Sequence, residues 1–476
     1  MVIRSPTDIT HLGALGLAHA IRAGELSPLN AVDAFIARIE AVNPRLNAVV
    51  ANRYDEARRE ARTAAERLAK SGDPPPLLGV PFTVKEAIAV TGCPHTAGSV
   101  YRKRIIAHTD AIAVQRLRRS GAIPIASTNI SEMCMWMESY NLVYGRTNNP
   151  YDLGRIPGGS SGGEGSILGA GASPFGVGGD VGGSIRMPAF FCGIFGHKPT
   201  GGLVPVDGHA PEPMGDVRRY CTIGPMTRHA ADLEPLLSIM SDTPVPNTDP
   251  VSFRDRVVYT CEGLDFPLPP ATDELKDALR RAASVFRELG AQVRPFDPKK
   301  FGNAFFIWSA MLHEGGNPEF ARIMTEGKDP DLVAETVRFI LGRGRHTVPA
   351  LALAILEKLL DVIPGDGTRR LAKKGLEVRS EFEKILGDNA ILLMPTHPRP
   401  APRHNAPLLR PMDFAYTGIF NVLEAPVTSV PMGYGQEGVP LGIQVAARHG
   451  RDRLTIAAAR VLEEALGGWV PPKILG

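Results

Sequence analysis

Cysteine is scarce in this chain: 5 in 476 residues, at Cys93, Cys134, Cys192, Cys221 and Cys261. They are odd in number and include no C-x-x-C pair, which argues against a disulfide framework and against a structural zinc site. An excess of one charge is also missing. The 53 basic and 50 acidic residues leave a formal charge of +3, so there is no general electrostatic case for a nucleic-acid partner. No run of ~18 apolar residues offers a transmembrane span. The opening MVIRSPTDITHL lacks the continuous apolar h-region of a secretory signal. The expectation is a cytoplasmic protein with no nucleic-acid partner and no stable membrane span. Internal repeats and long low-complexity linkers are absent too.

What is present is ordinary for a globular protein: 43% hydrophobic and 22% charged residues, which excludes wholesale disorder. Length alone allows ~3 domains or one large enzyme domain. Gly (50) and Pro (42) both exceed the average usage of ~7% and ~5%. No Gly-X-Y period accompanies them, so a collagen helix is out. The excess is partly local: 16 glycines fall within the 45 residues 158–202. Such backbone freedom serves close approach or tight turns, at an entropic cost.

The hydrophobic pattern gives an α/β rhythm. Val32, Phe35, Ile36 and Ile39 recur on one helical face, with Ser27–Pro28 as cap and first turn. Residues 54–70 read as an Ala-rich, charged surface helix broken by SGDPPP, 71–76. Phe82, Thr83 and Val84 form an inner strand ending at Lys85. A short helix over 109–121 follows, with Ala113, Val114 and Leu117 inward, then the strand AIPIAST. Further on, a strand near VVYT leads through a turn to a long helix, Gly290 and another strand. Residues 301–385 are mainly helical. ILLMPT (391–396), APVTSV (425–430) and PLGIQVAA (440–447) are buried strands, and 453–467 is a closing amphipathic helix. Strands bracket the helical insert from both sides, which favours one interleaved α/β domain over 1–476, with N-terminal helices in 10–70 and a variable insert at about 301–385. Within the insert, 348–363 is strongly apolar. It reads as a buried helix, a lid over an apolar pocket, or an interfacial membrane-contact element.

The informative stretch is RIPGGSSGGEGSILGAGASPFGVGGDVGGSIRMPAFFCGIFGHKPT, 155–200. It holds no G-x-x-x-x-G-K-[ST] phosphate loop and no well-placed dinucleotide fingerprint. A serine hydroxyl is a poor nucleophile until a base takes its proton. Ser184 follows Gly182 and Gly183, and successive N–H groups of a tight turn can converge on a developing oxyanion. The alternative is a Gly/Ser surface loop. For the base, histidine is the common partner, and His197, His209, His95 and His108 are all available without a spacing that selects one. Lys85 is the other choice, because a desolvated lysine can act as a neutral base.

These residues resemble the amidase signature family. Lys85 in GVPFTVKEAI, Ser160 and Ser161 in PGGSSGGEG, and Asp180, Gly182, Gly183, Ser184, Arg186 and Pro188 in GGDVGGSIRMP carry the likeness. CGIFGHKPT (192–200), the opening GELSPLNAVDAFIARIEAVNPRLNAVV and the late EAPVTSVPMG and PLGIQVAA extend it over nearly the whole chain. The resemblance implies an α/β fold with a mixed, twisted central sheet covered by helices on both faces. It also implies a Ser–Ser–Lys triad: Ser184 as nucleophile, Ser160 as bridge, preceded by a cis peptide bond, and Lys85 as base. The N–H groups of Val181, Gly182, Gly183 and Ser184 would form the oxyanion hole. Asp180, Ser161 and Arg186 would hold the turn. No cofactor and no metal is implied, and a homodimer is the family-level expectation. One departure is GHKPT, where the family has GLKPT. His197 there reads as a packing histidine, and His397 and His404 lie at no convincing ligand spacing.

The GGSSGGEG…SPFGVGGDVGGSIRMPAFFCGIFG run is most similar to the fatty acid amide hydrolase-like branch. An amidotransferase-type subunit typically has an alanine-rich run where this chain reads GEGSILGAG. That subunit, and a non-catalytic scaffold retaining the fold, are the alternatives. The family's pocket region falls on Met133, Cys134, Met135 and Trp136; Phe305, Trp308, Tyr416 and Phe420 are further wall candidates. An adaptable Met/Trp wall suits aryl or medium-to-long acyl amides. Esters and aryl carbamates present the same electrophilic carbonyl.

Overall fold

A computed structural model describes residues 5–70, 72–243, 251–265, 267–316, 319–328, 330–360 and 366–475. Eleven strands form one sheet. They are β1 (Val49–Asn52), β2 (Pro81–Lys85), β3 (Ile123–Thr128), β6 (Phe175–Asp180), β7 (Phe195–Lys198), β8 (Thr222–Thr227), β9 (Val257–Thr260), β10 (Gln292–Pro295), β11 (Ala390–Pro395), β12 (Val427–Tyr434) and β13 (Pro440–Ala447). A separate small hairpin pairs β4 (Tyr140–Asn141) with β5 (Gly145–Arg146). The sheet order is β1-β3-β2-β6-β8-β7-β12-β13-β11-β9-β10. It is mixed: β2 runs parallel to β3 and β6, whereas β8, β7, β12 and β13 pair antiparallel in succession.

The alternation of side chains along the strands builds a core on each face. In β11, Ile391 and Leu393 join one apolar cluster and Leu392 and Met394 the other, as a period of two requires. The first cluster is closed by helices Pro28–Leu46, Ile112–Arg119, Asp273–Glu288 and Asp452–Leu466, the second by Ala304–Glu314, Asp366–Leu386 and Ala415–Val422. The sheet is therefore twisted and flanked by helices on both faces, as expected. Val32, Phe35, Ile36 and Ile39 are all buried, and the Ser27 hydroxyl accepts from the Asn30 N–H at 3.1 Å. The surface helix Tyr54–Lys70 buries only Ala57, Ala61 and Ala64.

Two regions differ from a simple reading of the sequence. The glycine-rich run is not a surface loop. It contains helix Gly162–Gly169, β6, helix Arg186–Phe191 and β7, and is buried throughout except for half-buried Val181. Helix Val348–Leu360 buries Ala350, Leu351 and Ala354; residues 361–363 of that apolar stretch lie outside the described residues. It packs with Phe320, Ala321 and Met324 on Ala87, Ala97, Ile130, Met133, Cys134 and Ala210, a third, smaller cluster. The imidazole of His346 pairs with Glu132 at 2.7 Å, and Glu132 also accepts the Thr347 N–H at 2.7 Å, fastening the insert to the loop before Met133. No helix among the described residues is long and apolar enough to cross a membrane.

Candidate active site

The site is built where β2, β6 and the two glycine-rich turns meet. Alternation along β2 puts Phe82 and Val84 into the first core cluster and leaves Thr83 and Lys85 on the opposite face. Lys85, 1% exposed, sends Nζ to Ser160 Oγ at 2.7 Å and to the Gly179 carbonyl at 3.2 Å. The Gly159–Ser160 peptide bond is cis. Gly159 has no room for a side chain, because a Cβ there would run into the Trp136 carbonyl. The same contact lays the Trp136 backbone against the Gly159–Ser160 turn; Met135 and Trp136 are half-buried. Ser139, which the sequence patterns did not single out, clamps this turn. Its hydroxyl reaches Gly158 O at 3.1 Å and Ser160 O at 3.2 Å, and it accepts the Gly162 N–H at 2.9 Å.

The Ser161 N–H donates to the Ser184 carbonyl at 3.2 Å, which sets the two serine-bearing turns side by side. The Ser161 hydroxyl donates to Gly179 O at 3.2 Å, so it ties its turn to β6. Ser184 is 6% exposed. Its own turn is held by its carbonyls. Asn421 Nδ2 binds Asp180 O at 2.9 Å, Trp308 Nε1 binds Val181 O at 2.9 Å, and Thr417 Oγ1 binds Gly182 O at 2.7 Å. In a trans peptide the N–H points opposite to the C=O. The N–H groups of Val181 and Gly182 are thereby aimed away from Asn421 and Trp308, and they and the Ser184 N–H have no acceptor among the described residues. Gly183 is different and corrects the expectation of four free donors: its N–H is already taken by Asp180 Oδ1 at 2.7 Å. Its φ of +118° and the overlap of a Cβ with the Thr417 hydroxyl restrict the position to glycine.

Asp180 and Arg186 sit under this turn with fully buried side chains. Arg186 Nε and Nη2 grip the two Asp180 oxygens at 3.0 and 2.9 Å. Its remaining donors reach Thr417 O (2.9 Å), Asn421 Oδ1 (2.7 Å) and Gln444 Oε1 (3.2 Å). Burial pushes the Asp180 carboxyl up, but the Arg186 guanidinium outweighs it and holds the group well below the usual carboxylate range. A second buried acid, Glu164, accepts from Thr83 Oγ1 at 2.7 Å and Thr128 Oγ1 at 2.9 Å. Burial pushes it up to about 8, against the opposing pull of the two hydroxyls and of Lys85.

The sequence-derived pocket candidates separate. Met133 and Cys134 are buried under the insert, both with positive φ (51° and 61°). Trp308 and Phe414 lie against Gly182, where a Cβ would meet them at 3.3 and 3.4 Å; Phe305 packs edge-on to Phe414. Phe414 carried no sequence signal. Tyr416 and Phe420 are completely buried in the second core cluster, Tyr416 with its hydroxyl on Pro269 O at 2.7 Å and Phe420 against Phe301 and Phe382. Their surfaces are taken up by core packing behind the site. Of the histidines, His197 is fastened between Thr428 Oγ1 (2.9 Å) and Asp452 Oδ1 (3.1 Å), and burial depresses its basicity. His95 holds the Ala87 carbonyl at 3.1 Å. His209 alone of the four lies against Gly179 and Lys85.

The amidase family model matches residues 30–456. Fatty-acid amide hydrolase 2-B of Danio rerio is 41% identical, across 98% of this chain and 91% of the relative. Fatty-acid amide hydrolase 2 of Homo sapiens is 40% identical, across 98% and 92%. Among solved structures, 6-aminohexanoate cyclic dimer hydrolase superposes with a TM-score of 0.82 at 26% identity, covering 98% of this chain and 99% of that one.

Proposed function

The chain belongs to the amidase family and is therefore an amide-cleaving enzyme of serine-hydrolase type, and on that premise we propose that it hydrolyses apolar acyl or aryl amides through an acyl-enzyme on Ser184. The observation that carries the mechanism is the 2.7 Å contact between Lys85 Nζ and Ser160 Oγ, beside the Ser184 turn. Deprotonated Lys85 takes the Ser160 proton as Ser160 takes that of Ser184. Ser184 Oγ then bonds to the substrate carbonyl carbon. The N–H groups of Val181, Gly182 and Ser184 receive the oxyanion; a single donor of this kind is worth ~2.7–4 kcal/mol in a serine hydrolase. Collapse breaks the C–N bond, and the departing amine regains a proton from Lys85 through Ser160. Water enters by the same relay, cleaves the ester to Ser184 and releases the acid.

The choice of an apolar acyl group is supported by the Trp308 and Phe414 rings against Gly182. The two fatty-acid amide hydrolases similar to this chain point the same way. Esters and aryl carbamates fit the same carbonyl chemistry. The test is hydrolysis of acyl anilides from acetyl to dodecanoyl with one aryl carbamate, each with a Ser184→Ala control. The expected result is a rate that climbs with chain length and disappears in the control. A short-chain or carbamate optimum moves the substrate class; turnover that survives Ser184→Ala contradicts the mechanism.

A further inference from the structure

Lys85 has more hydrogen-bonding capacity than its protein partners use. A neutral amine carries two N–H groups and one lone pair. Ser160 Oγ and Gly179 O are the two oxygen partners of Nζ, and the Cys134 thiol lies beside both Lys85 and Ser160. For the relay to run, the lone pair must face Ser160. One N–H then goes to Gly179 O, and the other, with only the weakly accepting Cys134 sulfur beside it, has room for a stronger acceptor that would stop the amine rotating.

His209 supplies one. Its Nδ1 lies 2.9 Å from the Pro211 carbonyl. A carbonyl only accepts, so Nδ1 carries the proton and Nε2 of the neutral ring is an acceptor. Burial, followed by the nearby Lys85 charge, pushes the imidazole down to about 3, so the ring stays neutral at working pH. Nε2 has no partner among the described residues, although the side chain is 7% exposed. A methyl group added at Gly179 would meet His209 Nε2 at 2.9 Å and Lys85 Nζ at 3.5 Å. The two nitrogens are therefore no farther apart than the sum of those distances. They form no direct hydrogen bond, and the window this leaves includes the separation that one bridging water spans.

The loop carrying His209 is anchored on both sides of the imidazole. The Ala89 N–H donates to Gly208 O at 2.9 Å and the Ala210 N–H to Ala87 O at 2.8 Å. Cys134 Sγ lies 3.7 Å from Ala210 O. The acceptor is thus held in place beside the residues that follow Lys85.

We propose that His209 is a positioning residue for the Lys85 amine, its Nε2 taking through one water the N–H that Gly179 does not, so that the lone pair is turned to Ser160. This rests on Lys85 acting as the base of the relay. It gives a histidine a part in the reaction without making it the proton acceptor.

Two substitutions separate this role from packing. Asparagine reproduces the Nδ1 donor to Pro211 and removes the Nε2 acceptor. Glutamine places an amide near Nε2 and gives up the Pro211 bond. His209→Asn is expected to lower kcat about tenfold or more on a short acyl anilide, with KM within about twofold and a melting temperature near that of the wild type. His209→Gln is expected to keep kcat within about threefold while losing thermal stability. Equal kcat losses in both, no loss in His209→Asn, or a change confined to KM would each overturn the proposal. If His209→Asn does not fold, His209→Gln against His209→Leu gives the same contrast. Ser184→Ala is run alongside: turnover surviving there defeats the nucleophile assignment itself, independently of His209.

Discussion

From Arg155 to Thr200 every residue except half-buried Val181 is buried, whereas in the insert at 301–385 Val333, Ile340 and Leu341 stand 76%, 75% and 66% exposed. The first region is rich in glycine, and its backbone does the work. Its N–H and C=O groups meet Asp180, Asn421, Trp308, Thr417 and Ser139 directly, and a Cβ at Gly162 or Gly183 would run into Ser139 or Thr417. The second is helical and carries ordinary apolar side chains; it reaches the site at Trp308, whose indole holds the Val181 carbonyl, through the small cluster over Met133 and Cys134, and through the Glu132–His346 pair. A region that positions reacting atoms has no spare volume, and one that covers them has a face left over. The two should respond very differently to substitution.

The largest effect should come from unpairing the buried charge beneath the Ser184 turn. Asp180→Asn leaves Arg186 without a counter-ion in a dry site, a change that costs about 3–5 kcal/mol, and it weakens the acceptor that holds the Gly183 N–H. Chemical denaturation and kcat should fall together. Because the Asp180 pKa is depressed in the folded state, its stabilisation is present above the ordinary carboxylate range and is lost as pH falls through the lowered value. The acid limb of the wild-type stability curve should therefore flatten in the variant.

Glu164 should give a smaller effect of opposite pH sense. With a folded value of about 8 against about 4.3 unfolded, the folded protein retains a proton that the unfolded chain gives up in that window. Stability should fall as pH rises from about 5 to about 8. Melting temperatures of Glu164→Gln across that range should decline less steeply than those of the wild type. Equal slopes would mean that the buried acid is not the titrating group.

Least affected should be the insert surface. Val333→Ser and Ile340→Ser should each change stability by no more than about 0.5 kcal/mol, and leave the hydrolysis of a short anilide unchanged. A loss of more than tenfold on that substrate would erase the contrast between the two regions.

Much of this was legible from local pattern. The period-two run ending at Lys85, the helix face of Val32, Phe35, Ile36 and Ile39, and the two serine-bearing glycine turns all depend on neighbours in sequence. What escaped depends on partners far along the chain. Arg186 is held by Thr417, Asn421 and Gln444, more than 230 positions away. β6 reads FGVGGD, with too few branched residues to declare a strand; its identity comes from pairing with β2 and β8. Phe414 and Ser139 belong to no motif. His209 was one of four histidines without a spacing to choose among them, and only the fold puts it beside Lys85.

The central claim is that Ser184 is a nucleophile activated by Lys85 through Ser160. Its most direct test is to react the protein with an alkyl fluorophosphonate and locate the adduct by intact mass and peptide mapping, in the wild type, Ser184→Ala and Lys85→Ala. A single adduct on Ser184, absent from Ser184→Ala and formed at least about a hundredfold more slowly in Lys85→Ala, is the predicted result. An adduct on another residue, or undiminished labelling without Lys85, would contradict it.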